Sequence, residues 1–456
     1  MAAEPGSRLE SRGERRAAGR ELRRTVARSS HAVWQAPRRG RDALALLAAT
    51  DRGRVAELLP IRYGRMAQSP FAFLRGAAAV MAFDLAATAA TGIRVQACGD
   101  SHLLNFGAFA TPERNLIFDI NDFDETLPAP WEWDVKRLAA SVMVAGRSRQ
   151  FADRRSADAV ADALRAYREA LANFARQPVL AVWYAHIDAG ELIRLGVGSD
   201  RPGLPRGARA HAHTGARLLP RLTQRIGGAR RIKDNPPLLY HFRGHAEYEA
   251  HVRDALRRYR QSLTDERRAL LDRYRMVDIA RKVVGVGSVG TRCAVALFMA
   301  DEDDALFLQY KEARPSVLAP YAGPGVYRNQ GERVVVGQRL LQSASDFFLG
   351  WSRTQRPAFD FYVRQLRDMK TSVSLDALSE RAFARYARLC ALALARAHAK
   401  AGDAAMISGY LGNADTFDRA VQRFALAYAD ETERDHAKLV KAVRAGRIRA
   451  EADTPH

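Results

Sequence analysis

Cysteine, lysine and long apolar runs are all scarce in this 456-residue chain. The three cysteines, Cys98, Cys293 and Cys390, stand far apart with no CxxC spacing, which excludes a disulfide framework and offers no thiolate zinc site. A reducing cytoplasm fits that usage. The longest apolar stretch, GAAAVMAFDLAATAATG, is interrupted by Asp84 and is too short to cross a bilayer. With no apolar leader at the amino terminus either, no membrane span is expected. Lysine supplies only eight of the 72 basic residues, so the net charge of +21 comes mostly from arginines scattered through Ala-rich segments. No RRM, zinc-finger or basic-zipper pattern accompanies them, and nucleic acid is not an expected partner.

What remains is ordinary globular material, 47% hydrophobic and 27% charged, enough for a sizeable core in two or three domains. Residues 1–45 read as a basic arm, solvated or docked as a helix. Residues 46–150 carry a buried helix over SPFAFLRGAAAVMAFDLAATAATG, a strand IRVQAC, a polar loop, a second strand NLIFDIN and a helix from PWEWDVKRL. Residues 151–270 are helical in period, broken by the Gly/Pro-rich stretch GVGSDRPGLPRGARAHAHTGAR. In residues 271–375 β-branched and aromatic residues dominate, and the turn DEDD between two apolar runs signals a hairpin. Residues 376–456 return to a helical period.

The polar loop CGDSHLLNFG places Asp100 and Asn105 five apart, the spacing of a phosphoryl-transfer loop in which an Asp takes a hydroxyl proton and an Asn ligates magnesium. Asp122, in NDFD at a strand end, would add a hard oxygen ligand to that cation. Asp124 is an auxiliary candidate, and strand alternation would turn Asp119 the other way. Taken singly, Asp100 and Asn105 would be turn caps; it is the set that points to a site. His102 is expected to anchor the loop or to serve as a base. Cys98 reads as a small buried residue rather than a nucleophile. His211, His213, His241, His245 and His251 have some metal-like spacing but no acids at helical offsets, which favours surface or capping roles.

A full GxGxxG follows at GVGSVG, with Gly285, Gly287, Ser288 and Gly290. A dinucleotide fold would need a helix next, but RCAVALFMA reads as a strand, so the glycines lie between strands like a loop covering ATP phosphates. Such a loop calls for a lysine on a following strand, and Lys311 stands there among few lysines. Glu332 at the next helix start would orient it, Glu312 facing the opposite side of the strand.

These phrases, with FDINDFDETLPAPWEWDVKRLAAS, LQYKEARPSVL and HAKAGDAAMISGYLG, resemble the bacterial family termed domain of unknown function 2252 over nearly the whole chain. GDSHLLN and DFD are in turn similar to the catalytic and metal motifs of the kinase-like superfamily, in particular its aminoglycoside and choline phosphotransferase branch. That likeness implies that Asp134, twelve after Asp122, braces the catalytic loop from behind. The order departs from the pattern, because the catalytic motifs precede the glycine loop and Lys311. The resemblance therefore implies an α+β, kinase-like two-lobed fold with a mainly helical larger lobe and a small antiparallel-sheet lobe, in which either the order is circularly permuted or one of the two motif sets is accidental. The expected activity is ATP- and Mg-dependent phosphotransfer to an unknown acceptor. A non-catalytic nucleotide-binding regulatory module, a nucleotidyl transferase and an anionic-surface binder remain as rivals.

Overall fold

The computed structural model describes residues 10–35, 41–190, 215–241, 246–355, 358–366 and 373–451. The fold is mixed α+β with several small antiparallel sheets. Four long helices, Trp131–Ser148, Asp153–Phe174, Glu380–Ala401 and Thr416–Arg444, pack on one another to form the main core. Helix Glu380–Ala401 shows why the sequence builds it. Ser379 caps its first turn through the Ala382 N–H, and Phe383, Tyr386, Ala387, Cys390, Ala391 and Leu394 recur on one buried face. Alanines in that stripe let neighbouring backbones approach closely.

Against this body sit strands β1 (Arg94–Ala97), β2 (Phe106–Ala110), β3 (Leu116–Ile120), β4 (Leu127–Pro130) and β5 (Ile187–Asp188). Strand β1 pairs with β4, and β2, β3 and β5 make a second sheet. The polar loop was expected to run unbroken to NLIFDIN. Instead β2 folds back on β3, joining Phe106 to Ile120 and Ala110 to Leu116. The helix expected from Ser69 onward is two, Pro70–Gly76 and Ala78–Ala86, broken at Ala77 where Gly76 packs flat on Met66.

Hairpin β6 (Thr223–Ile226) and β7 (Ala229–Ile232) turns on Gly227 and Gly228, both at positive φ, inside a stretch expected to be helical. Strands β8 (Leu239–Tyr240), β9 (Arg275–Lys282), β10 (Cys293–Met299), β11 (Ala305–Ala313), β12 (Gly350–Arg353) and β13 (Asp360–Gln365) form a six-stranded antiparallel sheet in the order β12-β13-β11-β10-β9-β8. The expected hairpin at DEDD is β10–β11. Period-two alternation splits its residues. Ala294, Ala296, Leu306, Leu308, Tyr310, Phe361 and Val363 pack on Tyr259, Leu263 and Leu271. The other face is apolar at one end, where Val295, Leu297 and Phe307 meet Leu218 and Ile232. At its other end it carries Lys311 opposite Tyr362.

Helix Gln330–Leu341 joins the sheet to the rest of the chain, touching β12, β13 and helix Glu380–Ala401. A Cβ on Gly331 would run into the Phe361 carbonyl, and one on Gly337 into Thr126. The amino-terminal arm is docked: helix Arg12–Glu21, closed by a Ser11/Glu14 capping box, lies on helix Ala404–Leu411. There Gly409 admits the Arg16 carbonyl.

Of the histidines expected in surface or capping roles, His211, His213 and His245 lie outside the described residues. His241 is instead held between two acids, Nδ1 2.7 Å from Asp234 and Nε2 3.0 Å from Asp278. Both carboxylates accept, an arrangement that favours the doubly protonated imidazole. Asp278 above all, then Asp234, raise its pKa above the ordinary value of 6.5 against the opposing effect of partial burial. Its stabilisation is complete below that unfolded-state value and lost as pH rises through the raised folded one. His241→Gln should cost about 1 kcal/mol at pH 6, kept small because Asp234 is exposed, and nothing at pH 9. Urea unfolding at the two pH values measures this, and an equal deficit at both would refute it.

Candidate functional site

Strand β1 delivers the chain into the loop Cys98–Asn105 through Gly99, whose φ of 84° and contact with the Glu125 carbonyl leave no room for a side chain. Asp134, in the first turn of helix Trp131–Ser148, fixes this entry. Its carboxylate accepts the Cys98 and Gly99 N–H groups at 2.7 and 2.9 Å, and its carbonyl accepts the Ser101 hydroxyl at 2.7 Å. Behind it, His398 Nε2 lies 3.2 Å from Asp134, while its Nδ1 lies 2.7 Å from the Tyr167 hydroxyl. Ser141 accepts the Leu103 N–H at 3.1 Å, and Tyr386 donates to the Leu103 carbonyl at 2.8 Å. The loop is therefore held along most of its length.

Asp100 is presented by this loop with its side chain 19% exposed, and Arg137 Nε donates to it at 2.6 Å. Burial pushes its carboxyl up to about 6, with Arg137 opposing and the nearby Asp122 adding to the rise. His102 is buried against Phe71, its Nε2 3.8 Å from Asp100. Burial, then the charges of Arg75 and Arg137, hold it well below the ordinary His value, so the ring is neutral. Its Nδ1 has no partner among the described residues, which means that it fills the loop by packing rather than anchoring it by ring hydrogen bonds. Cys98 is buried, and burial pushes its thiol well up, as befits a packing residue.

Asn105 donates from Nδ2 to the Asp100 carbonyl at 2.6 Å, which leaves Oδ1 as the acceptor atom of its amide. Its own carbonyl accepts the Asn121 N–H at 2.8 Å, fastening the segment that carries Asp122 to the loop. Asp122 closes a short turn by accepting the Asp124 N–H at 3.2 Å. Asp119 points away as the alternation required, toward Arg396 at 2.7 Å and Ser343 at 2.9 Å.

Residues 164 to 238 positions onward meet this turn. Lys311 Nζ forms an ion pair with Asp124 Oδ2, Ser288 Oγ donates to the same oxygen at 3.1 Å, and Tyr362 donates to Oδ1 at 2.7 Å. Burial would raise Asp124, but Lys311 and Tyr362 hold it below the usual carboxylate range. Burial would likewise lower Lys311, yet Asp122 and Asp124 keep it well above the ordinary Lys value, so both members stay charged. Asp124, expected as an auxiliary metal ligand, is thus the partner of Lys311. Glu332, expected in that role, stands in a helix first turn with its N–H on Asn329, and among the described residues no ion pair joins it to Lys311. Glu312 accepts from Arg292 on the other side of the strand.

The glycine loop joins β9 to β10, with Gly285 and Gly290 at φ of 64° and 86°. Arg54 donates to the Val289 carbonyl at 2.6 Å, the Val55 N–H to Gly290 at 2.8 Å, and Arg65 to Gly285. Gly287 lies against the Arg75 carbonyl, where an added Cβ would sit at 3.3 Å. The structure thus brings Asp100, Asn105, Asp122, Asp124, Ser288, the glycines and Lys311 to one place, and leaves Glu332 out of the Lys311 pair. Sequence reasoning missed Arg137, Tyr362 and Arg333, which ties the Asp124, Thr126 and Arg314 carbonyls together. Arg137 had a usable signal, since it lies one turn after Asp134 on the same helix. A separate cavity of about 540 Å³ lies at edge strand β12. Its two arginines, Arg258 and Arg353, are already paired with Asp254 and Asp360.

The described residues hold no group of three His, Cys, Asp or Glu side chains fit to bind a metal, and no helix long and apolar enough to cross a membrane. The chain belongs to a bacterial family whose members are described as uncharacterized proteins conserved in bacteria, DUF2252, which matches residues 54–442. No curated protein and no solved structure matches it.

If Lys311 and Asp124 are coupled as drawn, Lys311→Met should destabilise the fold by about 2–3 kcal/mol, because it strands a largely buried carboxylate. In the background of Asp124→Asn the same change should cost clearly less. Chemical denaturation of the four proteins measures this, and strictly additive losses would disprove the coupling.

Proposed function

We propose that the protein is an ATP- and Mg-dependent phosphotransferase on a kinase-like, two-lobed fold whose nucleotide-covering lobe is encoded second. The observation that carries the reading is the convergence of Lys311 and Ser288 on Asp124, beside the loop that presents Asp100 and Asn105. Asp100, raised toward neutrality, suits the removal of a proton from an acceptor hydroxyl while the terminal P–O bond of ATP breaks and the new O–P bond forms. Lys311, fixed and charged, would hold phosphate oxygens under the glycine loop. Asn105 Oδ1 and the Asp122 carboxylate are two hard oxygen donors, too few for a structural cation but suited to Mg, which takes its other ligands from phosphate and water. When bound, Mg would neutralise charge on the phosphate oxygens.

The Arg137 contact with Asp100 favours a second reading, because a base already paired with a guanidinium is a weaker one. On that reading the protein binds nucleotide as a regulatory module without turnover.

Incubation with ATP labelled at either the α or the γ phosphate, with and without Mg, tests both. Release or transfer of the γ label supports phosphotransfer. The Asp100→Asn and Asp122→Ala proteins should then be slower by about a hundredfold or more. Transfer of the α label would instead make it a nucleotidyl transferase, and nucleotide binding with neither label moved would leave the regulatory module.

A further inference from the structure

The arginines around the cleft nearly all have acceptors. Arg137 binds Asp100 and the Leu74 carbonyl, Arg54 binds Thr50 and Val289 carbonyls, Arg333 binds three carbonyls, and Arg364 binds Gln309 and the Asn121 carbonyl. Arg75 differs. It stands in the last turn of helix Pro70–Gly76, next to the residue whose carbonyl Arg137 holds, and its own carbonyl abuts Gly287 of the glycine loop. Among the described residues neither a hydrogen bond nor an ion pair reaches its guanidinium, although Nε is sealed from solvent. Sealing stops at Nε, so the two terminal nitrogens are the donors left for a ligand. Burial pushes the group down from the ordinary Arg value, with Asp100 restoring part of the loss and Arg65 adding to it. A guanidinium whose Nε is sealed from water without a partner is partly desolvated, a cost that an anion on its two open terminal nitrogens would offset.

We infer that Arg75 is the anion-binding residue of this cleft, taking a phosphate-type oxyanion between its helix and the glycine loop. Planar N–H donors suit such oxygens. The charge argument stands by itself; only the choice of phosphate rests on the phosphotransferase reading. The oxyanion is either the terminal phosphate of the nucleotide or an anionic group on the acceptor.

Thermal unfolding with inorganic phosphate against chloride of equal ionic strength is the first test. Phosphate should raise the midpoint of the unaltered protein, the rise should vanish in Arg75→Met, and part of it should survive in Arg75→Lys. No rise in the unaltered protein, or an equal rise in Arg75→Met, overturns the inference. Should Arg75→Met fail to fold, phenylglyoxal labelling of the unaltered protein decides. Phosphate must protect the Arg75 peptide, and labelling unchanged by phosphate refutes the site. Calorimetry then separates the sources. ATP weakened about tenfold in Arg75→Met with ADP unchanged assigns the nucleotide, and both unchanged assigns the acceptor. Phosphate binding without ATP turnover would keep this inference and remove the phosphotransferase, whereas turnover unaffected by Arg75→Met and no phosphate effect would do the reverse.

Discussion

The pairing of Lys311 with Asp124 is the contact on which the relation between the sheet and the helical body turns. Neither residue is stable where it stands without the other. Lys311 is 2% exposed on a strand whose neighbours are apolar, and removing an ammonium from water costs several kcal/mol unless a carboxylate and further hydrogen bonds offset it. Asp124 supplies that carboxylate, and its second oxygen is satisfied by Tyr362 from the adjacent strand. Ser288 of the glycine loop adds a third donor. Two strands of the six-stranded sheet and the glycine loop between its strands therefore close on one side chain, and displacing any of them would leave the Lys311–Asp124 pair short of partners.

Around that contact the charges pair off in a pattern that leaves a remainder. Asp100 is taken by Arg137, Asp124 by Lys311, Asp119 by Arg396 and Glu312 by Arg292. Among the described residues Asp122 has no ion pair and Arg75 has no partner for its guanidinium. One carboxylate and one guanidinium, both next to Asp100, are what a cation and an oxyanion arriving together would need.

The sequence made local features legible and tertiary partners not. Helix Trp131–Ser148, strand β3 and the β10–β11 hairpin follow from periodicity and turn residues, and the turn of Asp119 away from Asp122 and Asp124 follows from alternation alone. Strand β2 was lost because NFGAFATPERN is rich in small residues and turn formers, and it pairs only because β3 offers a register. The β6–β7 hairpin carried its Gly227-Gly228 signal, but the flanking arginines and leucines fitted a helical period. Glu332 was expected to orient Lys311, and that Asp124 pairs with it instead was hidden for a different reason. Strand alternation fixes which side a lysine faces, not what the rest of the chain places there.

Chain order is the feature most at odds with the kinase-like reading, and the contacts between the two parts explain why it need not matter. The six-stranded sheet is antiparallel throughout, with β10–β11 a tight hairpin and β9–β10 joined by the glycine loop, so its strand order depends on nearby segments and not on what precedes them. What binds it to the helical body is side-chain chemistry: Lys311, Ser288 and Tyr362 on Asp124, Arg333 on backbone carbonyls, and Arg54 and Arg65 on the glycine loop. Such contacts are indifferent to which half is synthesised first. A site assembled this way keeps its geometry under permutation as long as the loops that rejoin the halves lie on the surface, where added length costs little free energy.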